Sequence, residues 1–206
     1  MTELTDRISR RQVDKFAERR AQLATSALRT LSELGYARTS LREIAQNSDF
    51  SHGVLHYYFR DKVELITHCV KQYKAECVTR YDQIVATATS AETLRTDFAE
   101  ALAATCREDA AMHRLWYDLR NQALFEESFR ADVLEIDQSL ELMIWRIVTT
   151  YADLSGRPPA VTSGTAYGLL DGLFTQALLR HLAGVPDATT NLAAATHQTL
   201  PKLLAA

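Results

Sequence analysis

Apolar residues recur at steps of three and four along almost the whole chain. The cleanest run is Phe129, Val133, Ile136, Leu140, Met143, Ile147 and Tyr151, which predicts one long helix over 127–153 with a single inward stripe. Phe16, Leu23, Ala24, Ala27, Leu28, Leu31 and Leu34 predict a first helix over 15–34, ended by Gly35 at its C-cap. Ile66, Val70, Tyr73, Cys77, Tyr81 and Ile84 extend a helix from Lys62; at about 25 residues it would span ~37 Å, a rigid lever with no Gly/Pro-rich linker. Leu94, Phe98, Leu102 and Cys106 predict a helix over 91–109, and a broken helical stretch follows over 110–126. Ser155-Gly156-Arg157-Pro158-Pro159 is a break. Two last helices are expected over 160–183 and 187–204, parted by Gly184-Val185-Pro186, with Pro201 ending or kinking the second. The fold class is therefore all-α, with about nine helices.

Residues 38–62 depart from this plain periodicity. Ser40 and Glu43 form a capping box that opens a short helix, in which Leu41, Ile44 and Ala45 make a narrow apolar face. Asn47-Ser48-Asp49 breaks it, and Ser51 offers the N-cap of another short helix. Asp61 with Glu64 opens the next helix at Lys62. Two short helices joined by a tight turn are the layout of a helix-turn-helix, whose second helix enters the DNA major groove. Ser51 and its neighbouring amides suit a phosphate at a helix N-terminus, and Thr39 and Ser40 are also expected at the DNA. His52, Val54, His56 and Tyr57 would project from the second helix toward base edges, Val54 against a thymine methyl, while Gly53 allows close backbone approach. Tyr58 and Lys62 would hold phosphates and set the register. Leu55 and Phe59, four apart, belong to the small core.

These residues resemble the DNA-binding domain of the tetracycline-repressor (TetR-type) family of bacterial regulators. The shared pattern is Gly35-Tyr36, then Thr39-Ser40-Leu41-Arg42-Glu43-Ile44-Ala45, then Phe50-Ser51-His52-Gly53-Val54-Leu55-His56-Tyr57-Tyr58-Phe59-Arg60-Asp61-Lys62. It is gap-free and covers about the first quarter of the chain. Three positions depart from it: His52 where the family often has lysine, Val54 where it usually has threonine, and His56 where it most often has tyrosine. Those changes remove a charge, a hydroxyl and a phenol from the groove side, and bear on which DNA is read rather than on how it is held.

The charge distribution agrees. The formal net charge is −3, yet residues 1–62 hold 11 Lys/Arg against 8 Asp/Glu and the remainder 12 against 18. A basic head on an acidic body fits local phosphate neutralisation. Residues 1–14, with Arg7, Arg10 and Arg11, read either as a flexible frayed arm or as a basic extension reaching a neighbouring groove. Residues 15–61 form the helix-turn-helix domain and 62–206 the body. Cys69, Cys77 and Cys106 show no CxxC spacing and read as free packed thiols of a cytoplasmic protein. No long apolar run predicts a membrane span, and no apolar signal core is visible. Six histidines without metal-ligand spacing, and no Gly-rich phosphate loop, argue against an enzyme; no cofactor is expected. The His52/His56 pair at i,i+4 is the nearest approach to a zinc site, and without a third ligand no metal is expected there.

For the body, the resemblance implies an effector cavity among the middle helices and the first of the last pair. Its expected lining is Phe98, Leu102, Trp116, Tyr117 and Arg120, with Phe125, Met143, Tyr167, Asp171 and Phe174. Any single aromatic or Met among them reads first as ordinary core. Arg120 and Asp171 must be paired, either with each other or with a ligand, because a lone buried charge is costly. The helix over 160–183 has two apolar flanks, one with Tyr167, Leu170, Phe174 and Leu178, the other with Leu169, Leu173, Gln176 and Arg180. The resemblance implies that the last two helices pair with those of a second copy, giving a homodimer on a pseudo-palindromic operator in double-stranded DNA. The implied function is a regulator, most often a repressor released by a small-molecule effector. The alternative is a ligand- or protein-binding relative of the same fold without operator binding.

Overall fold

The computed structural model describes residues 2–35 and 38–206, with side chains from Val13 onward. Among them the regular structure is helical, with an isolated bridge between Pro159 and Leu204. In chain order the helices are α1 (Thr2–Leu34), α2 (Leu41–Gln46), α3 (His52–Tyr58), α4 (Lys62–Cys77), α5 (Asp82–Thr87), α6 (Ala91–Glu108) and α7 (Ala110–Gln122). A 3-10 turn (Glu127–Phe129) leads into α8 (Arg130–Ser155), followed by α9 (Ser163–Leu182) and α10 (Ala188–Thr199). The chain divides into two compact units: Met1–Tyr73 with Leu115–Asp132, and Lys74–Arg114 with Val133–Ala206. The division differs from the expected one at residue 62, because the second half of α7 belongs with the head. Asp118 lies 3.3 Å from where a Cβ on Gly35 would stand, and Lys71 pairs with Asp132 at 2.6 Å.

The first unit is built on Leu23, Ala24, Ala27 and Leu31 of α1, all fully buried, with Ile44, Leu55, Phe59, Leu65 and Ile66. Gly35, at φ 77°, ends α1 as expected, its N–H donating to the Leu31 carbonyl. The left-handed conformation needs no strain in a residue without Cβ. The expected irregular arm is different: α1 is helical from Thr2. The run from Glu3 to Arg20 has no Gly or Pro and is rich in Glu, Leu, Arg, Lys, Ala and Gln, all good helix formers. The side chains of residues 1–12, and with them Arg7, Arg10 and Arg11, lie outside the described residues, as does Tyr36.

In the second unit α10 packs on α6 and α9, and α6 on α9. Every residue of the stripe Phe129, Val133, Ile136, Leu140, Met143, Ile147 and Tyr151 is buried, as the period requires. The expected 25-residue lever is instead two helices: α4 stops at Cys77 and α5 starts at Asp82. Arg146 of α8 explains where the break is held. Its guanidinium donates to the Val78 carbonyl at 2.5 Å and to the Asp82 carboxylate at 3.0 Å, satisfying a helix-end acceptor that would otherwise need water. Thr79 Oγ1 donates to the Glu76 carbonyl in the same turn. Pro201 sits in a 3-10 turn (Leu200–Leu203) that ends the last helix.

Candidate functional site

Local hydrogen bonds set the geometry of residues 38–64. The Ser40 side chain accepts from the Glu43 N–H at 3.2 Å while Glu43 Oε2 accepts from the Ser40 N–H at 2.7 Å, a complete capping box. Ser51 caps α3 by accepting from the Val54 N–H at 3.3 Å. Asp61 caps α4 by accepting from the Glu64 N–H at 2.8 Å. Glu64 does not complete that box. Its carboxylate accepts instead from the Arg60 N–H, from the Arg60 guanidinium and from Arg20. The Arg60 amide and the two guanidiniums hold Glu64 below the usual carboxylate range, against the opposite effect of partial burial.

The α3 side chains sort cleanly. Leu55 is fully buried and Phe59, its C-cap, is 1% exposed, as expected of the inward face. The Arg20 guanidinium lies over the Phe59 ring at 4.6 Å, with the His68 ring also against it at 5.7 Å. Ser51, His52, Gly53, His56 and Tyr57 are exposed, Tyr57 at 73%, and Val54, Tyr58 and Lys62 are half-buried. Tyr58 is held by the Phe16 ring of α1 at 4.8 Å and by Tyr57 at 4.9 Å. That stacking fixes the direction of its side chain before any ligand arrives. Thr39 is a correction. It is 2% exposed and its hydroxyl donates to the Gly35 carbonyl at 2.7 Å, so it finishes α1 instead of reaching outward. Ser40 stays exposed, its oxygen engaged in the cap.

A capped α2, a five-residue connection and a short α3 with an unburied polar-aromatic face make a helix-turn-helix. Residues 23–69 match the family model of bacterial regulatory proteins of the tetR family. The head is a tetR-family domain. Solved structures share the fold over most of the chain. A TetR transcription regulator from Haloarcula marismortui superposes with a TM-score of 0.74 at 17% identity, covering 92% of this chain and 100% of that one. The regulator FadR from Bacillus subtilis, solved with stearoyl-CoA, gives 0.69 at 15% identity, covering 87% and 96%. A Saccharomonospora viridis protein solved with choline gives 0.72 at 15% identity, covering 91% and 98%. Among curated protein sequences none matches. At these identities the likeness is one of fold, and the fold is that of TetR-type transcription regulators.

The residues expected to line a cavity in the body fall into both units. In the unit of α6, α8 and α9, Phe98, Leu102, Met143, Tyr167 and Phe174 are buried, and Tyr167 donates to Asp137 at 2.8 Å. Asp171 is half-buried. Trp116, Tyr117, Arg120 and Phe125 belong to the other unit: Trp116 is buried, Tyr117 and Arg120 half-buried. Phe125 is 83% exposed, on the turn that follows α7, so a residue expected to wall a cavity stands on the surface. The turn breaks the helical period on which its inward placement depended. Arg120 and Asp171 both have interaction partners, and neither is a lone charge.

Two residues that sequence reasoning passed over form the most perturbed group. Lys74 is 3% exposed, and its Nζ lies 3.4 Å from Nδ1 of His113, itself 7% exposed. The His113 ring packs edge-on against Phe174 with centroids 4.7 Å apart. Burial pushes Lys74 down to about 8, with Cys77, Asp171 and Asp109 acting the other way. Burial, then the positive charges of Lys74 and Arg80, push His113 down to about 2, so the ring is neutral and accepts from the ammonium. The signal for Lys74 was present, since it lies on the inward line through Val70 and Cys77. Nearby, Arg80 pairs with Asp109 at 2.5 Å and donates to Thr105, which also accepts from Tyr81. The three cysteines are free and buried, and burial raises the thiols of Cys69 and Cys106. Inert packed thiols fit that environment better than redox sensors.

Proposed function

We propose that the protein is a DNA-binding transcription regulator, a repressor that leaves a pseudo-palindromic operator when a small molecule binds its body. The observation that carries this is the outer face of α3. Ser51, His52, Gly53, His56 and Tyr57 are exposed together on a helix whose other face, Leu55 and Phe59, is locked into the head. A polar-aromatic helix face kept out of the core, one turn from Lys62 and Tyr58, suits base edges flanked by phosphates. A single head of this size reads a short half-site, so two copies are expected on one operator.

The outer flank of α9 supports pairing of copies. Leu169 is 48% exposed and Leu179 69%, and nothing stands within 4 Å of a Cβ placed on Gly168 or Gly172. Small residues between leucines let a second helix approach closely, and α9 with α10 would form the contact. Relatives of the same fold solved with stearoyl-CoA or choline support an effector within the body. Phe98, Leu102, Met143, Tyr167, Asp171 and Phe174, in the same unit as the Lys74–His113 pair, are its proposed contacts. The effector acts by preferring a body shape in which the heads no longer match operator spacing, and only that differential affinity moves the equilibrium.

The test is a gel-shift and footprint with DNA from upstream of the protein's own gene. A protected palindrome whose affinity falls steeply with salt is expected. No retardation even at low salt would overturn the reading. Lys62→Ala should weaken binding equally for all sequences and lower the salt slope by roughly one unit.

A further inference from the structure

His52 and His56 stand one helical turn apart on the exposed side of α3. Their Nε2 atoms are 3.2 Å apart, with ring centroids 4.4 Å apart and planes at 81°. As a hydrogen bond, that contact uses one nitrogen as donor and the other as acceptor. The same separation is the bite of a metal chelate. Imidazole nitrogens bind zinc at about 2.0–2.1 Å, and two such bonds meeting at the tetrahedral angle place the nitrogens ~3.3 Å apart. A right-angled pair of bonds places them ~2.9 Å apart, so the observed separation lies between the two geometries. Neither the backbone nor the helix register has to change to admit an ion. The rings need only aim both lone pairs at one point.

We propose that His52 and His56 together chelate a divalent first-row transition ion of the zinc, nickel or copper class on the outer face of α3. Imidazole selects these ions over magnesium and calcium, which prefer oxygen. Among the described residues no group of three or more His, Cys, Asp or Glu is placed to hold an ion. The protein therefore gives two ligands and water fills the rest, which makes the site open and exchangeable rather than structural. Binding needs no redox partner. The ring that carried the Nε2 proton in the hydrogen bond moves it to Nδ1 through solvent, and both Nε2 lone pairs go to the metal. Loading occupies the two nitrogens that α3 would offer to DNA, so saturating zinc weakens operator binding; this consequence rests on the regulator reading above.

Equilibrium dialysis of the full chain against zinc, and separately nickel, tests the chelate without DNA. One ion per chain is expected, lost in His52→Asn and equally in His56→Asn. Both side chains are exposed, so the variants should keep the parent's circular dichroism. His197, which lies 3.2 Å from Glu92, is the control. Uptake that survives both α3 substitutions, or that disappears in His197→Asn instead, overturns the proposal, as does no stoichiometric uptake by the parent. A gel-shift with and without zinc separates the two readings. A chain that takes up zinc at α3 but retards no DNA keeps the chelate and removes the regulator; one that binds DNA and takes up no ion removes the chelate alone.

Discussion

Acid should loosen the second unit through one residue. His113 is buried, neutral and held far below its ordinary value of 6.5, down to about 2, first by desolvation and then by Lys74 and Arg80. A base whose folded value is depressed binds fewer protons folded than unfolded between the two values. The stability tied to it is complete above 6.5 and is lost as pH falls toward 2. At pH 5 the unfolded imidazole is almost fully protonated while the folded one is not. Linkage then removes about 2 kcal/mol relative to pH 7, which at a typical slope is a shift of roughly 1 M in the urea midpoint.

Carboxylates elsewhere also titrate in that range, so the decisive comparison is with His113→Asn. The amide oxygen can accept from Lys74 near where Nδ1 did, and it does not titrate. Urea melts of both chains by circular dichroism at pH 7 and pH 5 give the difference directly, the shared carboxylates cancelling. The variant should start less stable, because it gives up the ring contact with Phe174, and the gap should close by about 2 kcal/mol at pH 5. Parallel loss in the two chains would mean that His113 is not neutral and buried in the folded protein, and the reasoning would fail.

The partner of His113 should behave in the opposite pH range. Lys74 is depressed from 10.5 to about 8, so the fold gains stability as pH rises between those values, and the parent should gain about 3 kcal/mol relative to Lys74→Met from pH 7 to 10.5; a constant difference in thermal melts would refute it. Phe59→Ala should cost about 3–5 kcal/mol because it empties a fully packed position clamped by Arg20 and His68. Tyr57→Ala, at a 73% exposed ring, should leave the melting curve nearly unchanged and weaken operator binding in a gel-shift. Ser40→Ala removes the capping box of α2 and should cost about 1 kcal/mol, read by urea melts; no loss would assign α2 entirely to packing.

The head is legible because its information is local. Ser40, Glu43, Ser51 and Asp61 act on amides three residues away, so their hydrogen bonds can be written down from spacing, and all three caps are present. The family pattern is made of such positions, with Leu55 and Phe59 fixing which side faces in. Thr39 fails the same logic for a physical reason. Its hydroxyl donates to the Gly35 carbonyl at 2.7 Å, a helix-end acceptor that the spacing of residues 39–45 does not point to. The break at Val78 fails for the converse reason: the period continues through Cys77 and Tyr81, and Arg146, which holds the end of the helix, is 68 residues away.

The body's chemistry is hidden by the same non-locality. Periodicity names the buried stripe of α8 correctly because each of its members is apolar, yet the rule cannot say what an inward lysine does. Lys74 is accommodated in the core with His113, 39 residues on, which is itself kept neutral there. Each residue alone would be an error of burial, and together they form a donor and an acceptor without a second charge. That pairing also explains why His113 cannot simply be protonated to relieve its position: a second cation would then face Lys74 at 3.4 Å. The histidines of α3 show the reverse case. Their i,i+4 spacing is visible at once, whereas the 3.2 Å between their Nε2 atoms, on which the proposed chelate rests, is not.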